Sequence, residues 1–155
     1  MHHTVVRIPF TRDAYVKMQR DQKQLRHELE EVKVRLQAAR EMGDLSENGA
    51  YHYAKFELGR ISRELRRLGN LLRIGQIVEK SSPSTTVEFG SMVTVEHAGE
   101  QTTYTMVSLH ESDPKQHKLS IESPLGKTLL GKRTGDTIAV NTPAGMKQYT
   151  IQNVS

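Results

Sequence analysis

The sequence predicts an α+β chain: an N-terminal antiparallel α-helical coiled-coil hairpin, then a small antiparallel sheet with one short helix. Three observations predict it. Apolar residues step by three and four along two long segments, a short polar joint separates those segments, and after Gln76 the chain turns to short β-branched runs between Gly and Pro turns. The natural division is residues 1–78 for the hairpin and 79–155 for the sheet, with Ser81-Ser82-Pro83-Ser84 as linker-like composition.

The first segment opens at Thr11, a good N-cap, with Phe10 and Tyr15 placed as a hydrophobic staple. From there positions 15, 18, 22, 25, 29, 32, 36 and 39 read Tyr, Met, Gln, Leu, Leu, Val, Leu and Ala. The stepping resumes at 51, 54, 58, 61, 65, 68 and 72 as Tyr, Ala, Leu, Ile, Leu, Leu and Leu. Each is a heptad seam without internal Pro, and a short joint forces the seams to face each other antiparallel. About 30 residues at 1.5 Å each make an arm on the order of 45 Å long. Beyond the linker, residues 92–96, 102–109, 118–122, 136–140 and 149–154 read as strands. Residues 124–130 read as a short helix, and Thr142-Pro143-Ala144-Gly145 as a hairpin connection.

Composition narrows the function. The 155 residues carry a net charge of +4, with 15 Lys+Arg against 10 Asp+Glu in residues 1–75 and 7 against 8 in residues 76–155. The excess positive charge lies wholly in the helical half, which suggests a polyanionic partner for it. No apolar run is long enough for a membrane span, no apolar signal segment opens the chain, and a cytoplasmic protein is expected. The absence of Cys excludes disulfides, thiol catalysis and Cys-ligated zinc.

The joint, Glu41-Met-Gly-Asp-Leu-Ser-Glu-Asn48, admits two readings. Structurally, Gly43 suits a left-handed C′ position, and Asp44-Leu45-Ser46-Glu47 has capping-box spacing, with Asp44 as N-cap and Glu47 at N3. Functionally, the same spacing puts two carboxylates at the end of an arm. Mg²⁺ is commonly held by one or two carboxylates plus water or phosphate, and two alone bind it weakly. Such a tip is a partial ligand set, completed by the metal site of another molecule.

On the second helix Arg60, Arg63 and Arg67 share a face by i, i+3, i+7 spacing. They read either as phosphate contacts or as a solvated surface with Arg60–Glu64 and Glu57–Arg60 pairs. His52 reads as structural or solvent-facing. Tyr51 falls on the seam and reads as core, whereas Tyr53 is open as a base-stacking residue.

Gly43-Asp44-Leu45-Ser46-Glu47-Asn48 followed by Tyr51-His52 resembles the tip signature of the Gre transcript-cleavage factors (GreA and GreB) of bacterial RNA polymerase. Ile8-Pro9-Phe10-Thr11-Arg12 resembles that family's approach to helix one. Ser123-Pro124, Leu130-Gly131-Lys132, Gly135-Asp136 and Val140-Asn141-Thr142-Pro143-Ala144-Gly145 resemble its C-terminal motifs in order. The resemblance implies an FKBP-like C-terminal domain that docks on the polymerase through Ser123 and Pro124. It also implies an arm inserted through the secondary channel, with Asp44 and Glu47 helping to hold a second Mg²⁺ that the polymerase mainly binds. The basic residues Arg60, Arg63 and Arg67 would then contact the nascent RNA near its 3′ end. The chain would be no enzyme itself: a monomer that switches on cleavage of backtracked RNA by the polymerase. A channel-binding regulator that inhibits is the rival reading, and a coiled-coil adaptor a more remote one. Prolyl isomerase activity is rejected, because the C-terminal half offers only Phe89, Tyr104 and Tyr149 to line an apolar pocket.

Two departures from the family pattern stand out. Gly49-Ala50 replaces the usual Ala-Glu, and Arg26-His27-Glu28-Leu29 lacks the usual Arg-Pro, implying a less bent arm. GreA-like and GreB-like traits are mixed, so the subtype stays open.

Overall fold

The computed structural model describes residues 7–43, 46–80 and 84–155. The chain divides into two compact units: the helices, residues 15–75, and a second unit made of Arg7–Ala14 with Gln76–Ser155.

In the helical unit, α1 (Arg12–Glu41) and α2 (Gly49–Ile74) form the expected hairpin. All fifteen seam positions are buried or half-buried; Val32, Leu36, Ala39, Ala54, Ile61 and Leu68 are the most enclosed. The direction of packing is read from three cross-links. The Tyr15 hydroxyl donates to the Leu72 carbonyl at 3.0 Å, Arg35 meets Glu57, and Asn48 reaches back to Ala39. Numbers rise on one helix as they fall on the other, so the pair is antiparallel. Thr11 caps α1, its Oγ1 accepting from the Ala14 N–H at 3.3 Å. The helix runs unbroken through residues 26–29.

In the second unit, β3 (Met92–His97), β4 (Glu100–Val107), β5 (Lys118–Ser120), β6 (Thr137–Thr142) and β7 (Gly145–Val154) form one sheet in the order β5-β4-β3-β7-β6. Alternate residues enter the core, as a half-buried sheet requires: Val93 and Val95, Ile138 and Val140. The helix α3 (Pro124–Leu129) adds Leu129 to the same cluster, with Val87, Met106 and Ile151. Three pairings are antiparallel as expected, but β4 and β5 run parallel. The sheet is therefore mixed. A crossover containing two 3₁₀ turns, Leu109–Glu111 and Pro114–Gln116, carries the chain around so that β5 enters in the same direction as β4.

Two short strands went unread in the sequence. β1 (Ile8–Phe10) pairs with β2 (Gly75–Ile77), and the Val78 N–H donates to the Phe10 carbonyl at 2.9 Å. Residues 7–14 join the second unit through side chains as well. The Glu111 carboxylate accepts from the Thr11 N–H at 3.1 Å and from its hydroxyl at 2.5 Å, and Arg12 pairs with Glu79. No helix among the described residues is long and apolar enough to cross a membrane.

Candidate functional site

The tip is built by Asn48. Its Oδ1 accepts from the Tyr51 N–H at 3.1 Å, which makes Asn48 the N-cap of α2. Its Nδ2 donates to the Ala39 carbonyl at 2.8 Å, in the last turn of α1, an oxygen that also accepts from the Met42 N–H at 3.3 Å. One amide thus closes both helix ends. Gly43 has φ +113°, the left-handed region expected just past α1.

This corrects the capping box. α2 begins at Gly49, so Glu47 precedes the helix and cannot be its N3 residue. Asp44 lies outside the described residues. The physical reason is the bifunctional amide: a carboxylate at the cap can accept from an N–H but cannot also donate to Ala39. Glu47 is exposed, and no described residue forms a hydrogen bond or ion pair with its carboxylate. Among the described residues no three His, Asp or Glu side chains converge as a metal site. The exposed His52 ring places Nε2 3.2 Å from the Ser46 carbonyl, which ties the loop before Asn48 to the first turn of α2. Tyr51 is half-buried on the seam, with the Arg40 guanidinium 5.9 Å from its ring centre.

Along α2 the basic residues divide. Arg60 and Arg63 are exposed and form no ion pair among the described residues; the expected Arg60–Glu64 and Glu57–Arg60 contacts are not made, although the Arg60 charge still acts on Glu64. Glu57 instead meets Arg35 of α1 at 2.9 Å, an ionic contact without hydrogen-bond alignment. Glu64 is gripped by Arg67 through two bonds of 2.9 and 2.5 Å. That hydrogen bonding, aided by the charge, holds the Glu64 carboxyl below its ordinary range and raises Arg67. Arg67 is thus partly neutralised, and it lines a shallow groove with Arg63, Arg66 and Asn70. Tyr53 and Phe56 are respectively 60% and 66% exposed. The exposure of Phe56 was missed, although its spacing from Tyr53 and Arg60 was there to read.

In the second unit Ser123 caps α3: its Oγ accepts from the Gly126 N–H at 3.0 Å and donates to the Ser120 carbonyl at 2.7 Å. Pro124 occupies the first helical turn and is exposed. Gly126 is obligatory there, because a Cβ would sit 2.0 Å from the Ser120 carbonyl oxygen.

Comparison with known proteins bears on the whole chain. Residues 8–77 match the family model for the N-terminal domain of transcription elongation factors, and residues 82–155 match that for the GreA/GreB C-terminal domain. The chain is similar to transcription elongation factor GreA of Thermotoga neapolitana, at 35% identity over 96% of this chain and 97% of the relative. GreA of Rhodospirillum rubrum is 37% identical over 96% of this chain and 97% of its own length. Among solved structures, the GreA factor homolog 1 (Gfh1) protein of Thermus thermophilus aligns over 96% of this chain and 99% of its own, with 28% identity and a TM-score of 0.46. Two domain matches that together span nearly all residues, and relatives matched end to end, place the chain in the GreA/GreB family of transcription elongation factors.

Proposed function

We propose that this elongation factor acts as a monomer on bacterial RNA polymerase in the cytoplasm, inserting its helical hairpin into the secondary channel. There it stimulates the polymerase's own cleavage of backtracked RNA. The observation that supports this reading most is the division of labour at the tip. Asn48 does the capping, so the exposed Glu47 carboxylate has no structural duty among the described residues.

A lone exposed carboxylate fits a partial ligand set and not a resident metal site. Asp44 and Glu47 would be this chain's share of the ligands to a Mg²⁺ held mainly by the polymerase. Bound there, such an ion would supply Lewis-acid chemistry, making a water more acidic and offsetting charge that develops on the phosphodiester oxygens. The chain's own contribution is positional: Asn48 and His52 fix the loop, and Glu47 presents a carboxylate that can orient the attacking water. Arg60 and Arg63, which form no ion pair among the described residues, would hold phosphates of the extruded RNA without reading its sequence, with Arg67 weaker because Glu64 grips it directly. Ser123 and the exposed Pro124 would serve the docking of the second unit. The chain alone is not a nuclease.

The test is a halted, backtracked elongation complex with Mg²⁺, scored for short 3′ RNA fragments on adding the protein. The wild-type chain should accelerate their release, and Asp44→Ala or Glu47→Ala should lower the rate on the order of 10²-fold or more. Glu47→Ala should also leave helix content unchanged. No acceleration by the wild-type chain would sink the proposal, and slowed elongation without fragments would assign an inhibitor instead.

A further inference from the structure

Tyr53, Phe56, Arg60, Arg63 and Arg67 follow one another at steps of three, four, three and four along α2. At 3.6 residues per turn they occupy one face, within an arc of about 80°. That face lies away from the seam at Ala54, Ile61 and Leu68. All five are exposed. The stripe is about 21 Å long at 1.5 Å per residue, aromatic at the tip end and cationic beyond.

Apart from the Arg67–Glu64 pair, no contact within the chain accounts for the stripe. The two rings project into solvent, and Tyr53 lines a shallow groove with Ala38, Met42 and Ala50 that no described residue fills. Arg60 and Arg63 form no ion pair among the described residues, although the Arg60 charge still helps to lower Glu64. A purely apolar partner would match the rings and reject the cations; a purely anionic one would leave the rings in water. A single nucleic acid strand matches both, since each nucleotide offers a flat apolar face and a phosphate.

We infer that Tyr53 and Phe56 form a base-stacking platform that extends the arginine stripe, so that α2 carries a track for single-stranded RNA. Bases stack on the two rings next to the acidic tip, and the phosphates that follow run over Arg60 and Arg63. The choice of RNA as occupant rests on the proposed function; the stacking role of the rings rests on the stripe itself.

The test uses the intact chain without polymerase and a fluorescein-labelled single-stranded oligoadenylate RNA, read by anisotropy across a salt series. Tyr53→Leu and Phe56→Leu should each weaken binding roughly tenfold with an unchanged salt slope, because stacking releases no counterions. Tyr53→Phe should bind like the wild type. Arg60→Gln or Arg63→Gln should instead lower the salt slope by about one. Both rings are exposed and Leu is a strong helix former, so circular dichroism should show α2 intact in the Leu variants. A duplex of the same length hides its base faces, and its affinity should not respond to the Leu substitutions. Leu variants that bind the single strand as well as the wild type, or that lose single strand and duplex equally, would overturn the inference. The cleavage assay is read separately: a wild-type chain that binds RNA through the rings but releases no fragments would refute the cleavage role and leave the track standing.

Discussion

Asn48 carries more of the tip than any other described residue. Its side chain closes an N–H of α2 and a carbonyl of α1 at once, and only an amide offers both a donor and an acceptor of that size. Replacing an N-cap Asn by Ala costs about 0.5–2 kcal/mol, and losing the part-buried bond to Ala39 about 0.5–1.5 more. Asn48→Ala should therefore destabilise the hairpin by about 1–3.5 kcal/mol, measured by denaturant unfolding followed by far-UV circular dichroism. Asn48→Asp keeps the acceptor and loses the donor, so it should fall between. Glu47→Ala, one residue earlier, should change stability by less than about 0.5 kcal/mol, as surface substitutions do. If Glu47→Ala costs as much as Asn48→Ala, the separation of capping from chemistry at the tip is wrong.

Elements were legible wherever their signal was local. Heptad stepping located both long helices, and each seam residue from Tyr15 to Ala39 and Tyr51 to Leu72 is at least half-buried. The five sheet strands followed from β-branched runs between turns. What escaped was non-local: the parallel entry of β5 is decided by the path of residues 109–117, and three-residue strands such as β1 and β2 have no periodicity to read. The tip was half legible. Asp and Asn rank alike as N-caps, and what decided between Asp44 and Asn48 was the reach to Ala39 across the hairpin. The β3–β4 turn shows a local choice that the sequence makes poorly. Ala98 and Gly99 have φ of +53° and +83°, both positive as in a type I′ turn, for which Asn-Gly is the favoured pair. A left-handed Ala is strained by about 1 kcal/mol, whereas Asn tolerates the region. Ala98→Asn should stabilise the second unit by about 0.5–1 kcal/mol, seen as a rise of a few degrees in its thermal midpoint. An unchanged or lower midpoint would show that the turn is not under strain.

In each unit of the molecule a carboxyl is held below its ordinary pKa by a nearby arginine. Glu64 lies in the helical unit against Arg67, and Glu79 in the second unit against Arg12. In both, hydrogen bonding to the guanidinium is the first cause of a carboxyl pKa below its ordinary value of 4.5, and charge attraction adds to it. A carboxylate with a lowered folded pKa binds fewer protons folded than unfolded. Its contribution to stability is fully present above the ordinary value and is lost as pH falls below 4.5 through the lowered one. Both pairs are solvent-exposed, so the effect is small and weakens with salt. The pairs can be separated because they sit in different units. Arg67→Gln should flatten the acid-side loss of stability in the helical unit alone, and Arg12→Gln that in the second unit alone. Thermal unfolding followed from neutral pH to below the carboxylate range, at low and at high salt, measures this. Circular dichroism reports mainly the helices, and the amide NMR signals of the strand residues report the sheet. Identical acid profiles in wild type and Arg67→Gln at low salt would mean that the Glu64–Arg67 pair is as strong in the unfolded chain as in the folded one. Arg67 would then be free in energetic terms to leave Glu64 for a phosphate at little cost. A steeper wild-type profile would instead rank it below Arg60 and Arg63 as an RNA contact.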